Sequence, residues 1–174
     1  MKKSIVYKKV KEFKRKYPLT VAWRIKAHSK VIDIHLNEGE EVFYAFAAQK
    51  GPTNLNVATT YVVALTNKRI LLAHKRLFFG YFFIAITPDL FNDLNIEASV
   101  FWGKVLIDTV KEVVSLTNIQ RQALPEIETE ISEYMMREKK KYAAYIAARN
   151  SGNQWLPLFF IRWKNNKNMI SWLK

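Results

Sequence analysis

The sequence of 174 residues contains no cysteine and only five glycines and five prolines. Without cysteine the chain has neither disulfides nor thiolate metal ligands. The glycines are scattered, so there is no glycine-rich loop to hold a phosphate group. No stretch reaches the roughly 18 uncharged apolar residues of a membrane-spanning helix, and early lysines interrupt any signal-peptide pattern. We therefore expect a cytoplasmic protein, with a peripheral position at the inner membrane face as the alternative.

Acidic residues are also scarce, with 15 Asp and Glu against 28 Lys and Arg, which gives a net charge of +13. Residues 1–30 hold eleven basic residues and one acid, and residues 150–174 hold four basic residues and no acid. The remaining residues 31–149 hold 13 basic and 14 acidic residues, a net charge of −1. Binding of an acidic partner is therefore expected at the two ends of the chain.

Apolar residues make up 49% of the chain and aromatic residues 14%, which is enough for a packed core.

The N-terminal part of the sequence predicts two helices. Their apolar positions recur with helical spacing: Val6, Val10, Phe13 and Tyr17, then, after Pro18, Val21, Ile25, His28, Ile32 and Leu36. The first helix is strongly basic, and Pro18 separates the two.

From residue 40 the pattern changes to short runs rich in β-branched and aromatic residues, separated by turn residues. The predicted strands are residues 41–49, 58–65, 69–75, 81–87, 94–101, 104–110 and 113–119. An amphipathic helix is predicted at residues 124–143, with Leu124, Ile127, Ile131 and Met135 among its buried residues. Seven strands without intervening helices indicate an antiparallel sheet, closed or sandwiched, which the last helix caps.

The sequence resembles the bacterial PH-like domains, the group related to YokE-like PH domains, over about residues 12–143. Five segments carry the resemblance: YPLTVAWRIKAHSKVIDIHLNEGEEVFYAF (17–46), VVALTNKRILLAHKR (62–76), YFFIAITPDLFNDLNI (81–96), the corner at Trp102–Lys104 and ALPEIETEISEYMM (123–136). The resemblance implies a mostly β fold with helices. It consists of a PH-like antiparallel barrel of about seven strands with a C-terminal helix, preceded by N-terminal helical segments. It also implies docking rather than chemistry, and it names no ligand.

Phosphoinositide-binding PH domains carry a basic cluster in the loop between the first two strands. The matching loop here, residues 48–57, offers only Lys50, so the resemblance does not extend to that mode of binding. We divide the chain into a basic helical leader (1–39), a PH-like domain (40–143) and an aromatic, basic tail (144–174). The tail is open to three interpretations: an interfacial segment, a strand or helix packed on the domain, or divergent sequence.

Candidate residues for chemistry are few. His28 and His35 are seven residues apart and lack a carboxylate partner, so no metal and no cofactor are predicted. Asp89 and Asp93 have the spacing of an acid–base pair, but Pro88–Asp89 is typical of a turn or helix start and Asn92–Asp93 of a polar loop. We expect these aspartates and the three histidines, His74 included, not to converge on one pocket. The chain is thus predicted not to be an enzyme.

Two segments could bind a partner. The aromatic stretch RLFFGYFF (76–83) is expected to fill the barrel core and its rim, with a partly exposed docking patch as the alternative. The basic helix supplies the candidate anion-binding residues Lys8, Lys9, Lys11, Lys14, Arg15 and Lys16. Its apolar stripe should pack on the barrel if the helix is structural. Membrane binding by this helix needs the stripe free to insert, whereas phosphate contacts need only exposed lysines.

The sequence therefore predicts a non-catalytic PH-like docking module. Its partner is expected to be a protein or the anionic inner membrane surface, reached through the basic leader. The alternative is an accessory RNA-binding protein that uses its basic ends. The oligomeric state does not follow from the sequence.

Overall fold

The computed structural model describes residues 4–52 and 59–150. Two helices come first, α1 (Ile5–Lys16) and α2 (Ile25–His35). The Ser4 hydroxyl caps α1 by accepting a hydrogen bond from the Tyr7 amide at 2.9 Å. The predicted second helix began at Val21, but the Val21 amide instead donates to the Asn118 carbonyl at 3.0 Å. Because the backbone at Val21 is hydrogen-bonded to that of Asn118, it is not helical there. The helix α2 starts only after Arg24, whose φ of +46° is left-handed.

Seven antiparallel strands follow and form one sheet. Their bounds are β1 Val42–Lys50, β2 Thr60–Thr66, β3 Ile70–Lys75, β4 Tyr81–Ile86, β5 Phe91–Ala98, β6 Trp102–Thr109 and β7 Val113–Gln120. The order across the sheet is β4-β3-β2-β1-β7-β6-β5, so β4 and β5 are its two edges. β1 pairs with β7 only at Gln49 and Lys50. The sheet curls into a half-barrel, which confirms the predicted antiparallel architecture.

The connection between β5 and β6 differs from the prediction. Residues 99–101, not Trp102 and Gly103, turn the chain between β5 and β6, and the Ser99 amide donates to the Trp102 carbonyl at 2.8 Å. Asn92 and Asp93, predicted in a loop, lie in β5 and are exposed. An edge strand tolerates such polar side chains because one of its long sides faces water.

The two N-terminal helices cover one face of the sheet. One cluster joins Val6 and Val10 of α1 and Val31 and Ile32 of α2 to alternate residues of β1, β2 and β3, namely Ala45, Ala47, Val62, Ala64, Leu71 and Ala73. The intervening strand residues, such as Phe46 and Val63, are fully buried on the opposite face. Every residue of β2 is consequently buried.

The helix α3 (Leu124–Asn150) follows β7 through a short 3-10 turn and is longer than predicted. The expected stripe Leu124, Ile127, Ile131 and Met135 is buried, as predicted. Leu124 lies against Gly103 of β6, where an added β-carbon would overlap the Leu124 side chain. The chain divides into two units, Met1–Glu133 and Tyr134–Lys174, and α3 contributes to both.

Within the described ranges, no helix is long and apolar enough to cross a membrane. The last 24 residues of the aromatic, basic tail lie outside those ranges, as do residues 53–57 of the loop at residues 48–57. The proposed division into leader, PH-like domain and tail therefore stays a prediction.

Candidate docking surfaces

The apolar stripe of α1 is packed away from solvent. Val6, Val10, Phe13 and Tyr17 are all buried. The Phe13 ring lies 5.9 Å from the Phe46 ring, between ring centroids, and 5.1 Å from that of Tyr17. A stripe held in this way cannot enter a lipid layer without unfolding the helix from the sheet. Any binding by α1 must therefore use its polar side.

Three of the six predicted anion-binding residues hold α1 in place. The Lys9 ammonium donates to the Phe43 carbonyl of β1 at 2.7 Å. Lys14 donates to the carbonyls of Pro18, at 3.0 Å, and of Thr20, and partial burial lowers its pKa. These bonds satisfy carbonyls in the chain that leaves the helix and in the neighbouring strand.

Lys16 forms an ion pair with Glu126 near the start of α3, and its pKa is raised by that hydrogen bond. Glu126 also accepts a hydrogen bond from the Tyr17 hydroxyl at 2.7 Å. Burial alone would raise the pKa of Glu126, but the bonds from Lys16 and Tyr17 outweigh burial and lower it. Lys16 thus joins α1 to α3.

The other three predicted residues, Lys8, Lys11 and Arg15, are exposed. They lie on the side of the helix opposite the buried stripe, about 200° from it when measured in one direction around the axis. They span roughly 10 Å along that axis. Within the described part of the chain their side chains make no hydrogen bond or ion pair. We call these three residues the cationic row. Glu12, the one acid of α1, lies on the same side.

A cavity of about 510 Å³ opens beside the last turns of α1. Its walls include Lys9, Arg15 and Lys16 of α1, Tyr44 of β1 and Glu126 of α3. Burial and the nearby charge of Glu126 raise the pKa of Tyr44, so its hydroxyl stays protonated. Lys16 and Glu126 pair with each other across this cavity, and Lys9 bonds to the Phe43 carbonyl, so Arg15 is the one cation among these wall residues that is left to attract an anion.

The histidines and aspartates do not form a catalytic cluster among the described residues. His28 and His74 stack with their ring centroids 4.9 Å apart, whereas His35 stacks on Phe83. The Lys75 amide donates to Nδ1 of His28 at 2.7 Å. Burial, followed by the nearby charges of His74 and Arg24, lowers the pKa of His28 to about 4. His28 is thus a neutral structural acceptor.

No three His, Asp or Glu residues of the described ranges are grouped in a way that could hold a metal ion. Asp89 is exposed in the turn before β5, where the Leu90 amide donates to the Thr87 carbonyl at 3.0 Å. The turn predicted from Pro88–Asp89 is therefore present.

The aromatic stretch at residues 76–83 is where the core prediction is wrong. Leu77, Phe78 and Phe79 form the tip of the β3–β4 hairpin and are 68%, 81% and 89% exposed. Tyr81 and Phe82, which begin β4, are also exposed. The tip projects beyond the end of both strands, and so no second layer covers it. A sequence pattern shows that such residues are apolar but not whether they lie inside the sheet or beyond its end.

Comparison with known proteins identifies the family. Residues 36–133 match the sequence model of the bacterial PH domain, bPH_3. No curated protein matches the chain. Similar solved structures include a pleckstrin homology domain from Shewanella amazonensis SB2B, with 13% identity and a TM-score of 0.42, over 62% of this chain and 84% of that one.

A second is a DUF1696 family protein with a pleckstrin-homology domain from Shewanella loihica PV-4. It has 11% identity and a TM-score of 0.41, over 62% of this chain and 92% of that one. The resemblance inferred from the sequence is thus confirmed by the family match, which takes in more than half of the chain. The chain belongs to the bacterial PH domain family.

Proposed function

We propose that the protein is a non-catalytic docking module that attaches to an anionic phospholipid surface, as a peripheral protein at the inner membrane face. The PH-like fold supports a binding or docking role in general. The observation that carries the finer proposal is the cationic row of Lys8, Lys11 and Arg15, which faces solvent while the opposite side of α1 is buried.

The row attracts lipid headgroups by charge alone. A Lys or Arg side chain close to an anionic membrane contributes about 1 kcal/mol, and its field extends about 10 Å at 0.1 M salt. Because α1 cannot insert, its share of the binding should weaken steeply as the salt concentration rises. Lys9, Lys14 and Lys16, which bond within the fold, should contribute less to attachment than the row.

RNA is the alternative ligand, because phosphate contacts require exposed cations and no apolar insertion. The buried stripe is compatible with this reading. The exposed tip of the β3–β4 hairpin favours the membrane because its three successive side chains are all apolar; the two Phe rings could stack on unpaired bases, but Leu77 could not. A protein partner with an acidic surface is the third possibility, and the experiment below separates all three.

The test compares two triple variants of the full chain. Lys8→Glu, Lys11→Glu and Arg15→Glu together reverse the row. Lys26→Glu, Lys30→Glu and Lys140→Glu together are the matched control, at exposed sites elsewhere. Each exchange replaces a positive charge by a negative one and lowers the net charge by two, so both variants carry +7 instead of +13. Binding to lipid is measured by sedimentation, once with vesicles of equimolar phosphatidylglycerol and phosphatidylcholine and once with vesicles of phosphatidylcholine alone. Binding to RNA is measured by a mobility shift at the same salt concentration.

We expect the wild type to bind the anionic vesicles in a salt-dependent way. The row variant should lose at least about tenfold in affinity and the control about twofold or less, since three charges at ~1 kcal/mol each exceed the 1.4 kcal/mol of a tenfold change. Equal losses in the two variants would show that net charge alone matters. RNA binding without vesicle binding would establish the alternative, and binding of neither would leave an acidic protein as the partner.

A further inference from the structure

The tip of the β3–β4 hairpin carries three large apolar side chains in succession, Leu77, Phe78 and Phe79, all mostly exposed. The turn closes with a hydrogen bond from the Arg76 amide to the Gly80 carbonyl at 3.2 Å. Gly80 has φ +76°, a conformation that L side chains rarely adopt. The tip is therefore a defined, hydrogen-bonded turn whose side chains point away from the sheet.

The base of the hairpin is anchored. The Lys75 amide bonds to His28 of α2, and the His74 ring is stacked between those of His28 and Tyr61, at 4.9 and 5.2 Å. His74 Nδ1 is also 2.7 Å from the Thr60 carbonyl. A rigid base keeps the apolar tip from folding back onto the sheet.

Cations surround the base of the tip. The Arg76 guanidinium lies 4.2 Å from the centre of the Phe82 ring. The Arg24 guanidinium lies 3.5 Å from the carbonyl oxygens of both Lys75 and Arg76. Lys75 itself adds a third positive charge. No acidic residue occurs between His74 and Pro88.

We propose that residues 77–79 insert into the boundary between headgroups and acyl chains of an anionic membrane, while Arg24, Lys75 and Arg76 contact the headgroups. The inference rests on the proposed membrane function and deepens it by naming the element that inserts. Apolar and aromatic side chains with cations just behind them match the layering of that boundary. A projecting convex tip enters a lipid layer more readily than it fills a protein groove.

The test removes the apolar tip and leaves the charge unchanged. Phe78→Ser together with Phe79→Ser is compared with Val100→Ser together with Phe101→Ser. The control pair lies in the β5–β6 turn and is 73% and 61% exposed. Partitioning of the full chain is measured on equimolar phosphatidylglycerol and phosphatidylcholine vesicles. We expect the tip variant to bind roughly 10- to 100-fold more weakly, within the transfer free energy of two phenyl rings, and the control to bind as the wild type does.

A second measurement reports insertion directly. Because the chain has no cysteine, Phe79→Cys or Ser99→Cys provides one labelling site for an environment-sensitive dye. We expect a blue shift and quenching by acyl-chain quenchers for the dye at residue 79 and not for that at residue 99. The salt dependence of the wild type is measured on the same vesicles.

The outcomes separate the inference from the function on which it rests. If the wild type binds anionic vesicles but the two dyes respond alike and the tip variant binds normally, insertion is wrong and the electrostatic function stands. If the wild type does not bind these vesicles, the proposed function fails and the inference with it. If the tip variant changes the oligomeric state without lipid, as read by light scattering, the tip is a contact between copies and the inference is overturned.

Discussion

The Arg69 guanidinium donates two hydrogen bonds to the Glu40 carboxylate, from Nε to Oε1 and from Nη2 to Oε2, each 3.0 Å long. The Glu40 side chain is completely buried. It also accepts bonds from the Asn37 amide at 2.9 Å and the Thr66 hydroxyl at 2.8 Å. Burial alone would raise the pKa of Glu40, but these bonds outweigh it and lower the pKa. The pair ties the β2–β3 turn to the segment that follows α2.

Removing Arg69 should leave a buried carboxylate without its charged partner. We expect Arg69→Met to lower the free energy of unfolding by about 3–5 kcal/mol, measured by urea denaturation. Lys68→Met, one residue away, removes a bond to the Glu38 carbonyl at an exposed position and should cost no more than about 0.5 kcal/mol. Arg69→Met with Glu40→Met should be more stable than Arg69→Met alone. A double variant that is less stable would contradict this account of the pair.

The buried His28 should make stability depend on pH. Its pKa is about 4 in the folded protein, compared with an ordinary value of 6.5, so the unfolded chain binds a proton first as the pH falls. The native state is therefore fully favoured above pH 6.5 and loses stability between pH 6.5 and about 4, by on the order of 3 kcal/mol. Thermal unfolding across this range would measure the loss.

The matched variant for this effect is His28→Asn, which keeps an acceptor for the Lys75 amide but does not titrate. Its unfolding free energy should change much less between pH 6.5 and 4.5 than that of the wild type. Glu40 and Glu126 still titrate in both proteins. Since their pKa values are lowered from 4.5, their contribution is lost only below that pH. Parallel curves for the two proteins would show that His28 is not the source.

The contact between Gly103 and Leu124 should be intolerant of a single added methyl group. An alanine β-carbon at residue 103 would overlap Leu124, so we expect Gly103→Ala to cost about 1–3 kcal/mol. Leu124→Ala alone should cost about 2–5 kcal/mol because that side chain is buried. The double variant should cost clearly less than the sum, as measured by denaturant unfolding. Strict additivity would mean that the two residues do not touch.

Two phenylalanines with opposite environments test the assignment of core and surface. Phe13→Ala should cost about 3–5 kcal/mol because the ring is buried among aromatic neighbours. Phe79→Ala removes a ring that is almost fully exposed and should change stability by no more than about 0.5 kcal/mol. Differential scanning calorimetry of both variants and the wild type measures these two changes in stability. A large loss for Phe79→Ala would place the hairpin tip in the core.

The sequence was sufficient to predict the order and kind of the elements, because each apolar period repeats over several turns or strands. The α1 stripe and the α3 stripe are both buried as the spacing predicts. The aromatic residues 77–79 were placed between two strands but misled the prediction of burial, because composition cannot show whether an apolar connection folds onto the core or projects from it. Val21 misled it because its partner, Asn118, is 97 positions further along the chain.

The candidate site could be predicted only in part. The sequence indicated six cations on α1 but not that Lys9, Lys14 and Lys16 bond within the fold. Two of these bond to backbone carbonyls, which carry no sequence signature, and Lys16 pairs with Glu126, 110 residues away. The buried stripe also rules out Val10 and Phe13 substitutions as a test of lipid insertion. Such changes would destabilise the packing of α1 on the sheet, and a loss of binding would then not report on insertion.

The helices α1 and α2 precede the strands that they cover, which has a consequence during synthesis. Val6 and Val10 leave the ribosome before Ala47, Val62 and Leu71, the strand residues against which they pack, have been made. At typical rates of about 5–20 residues per second, the apolar stripe of the nascent helix waits several seconds for its partners. Molecular chaperones that recognise apolar helices should therefore engage this chain early and release it once β3 has emerged.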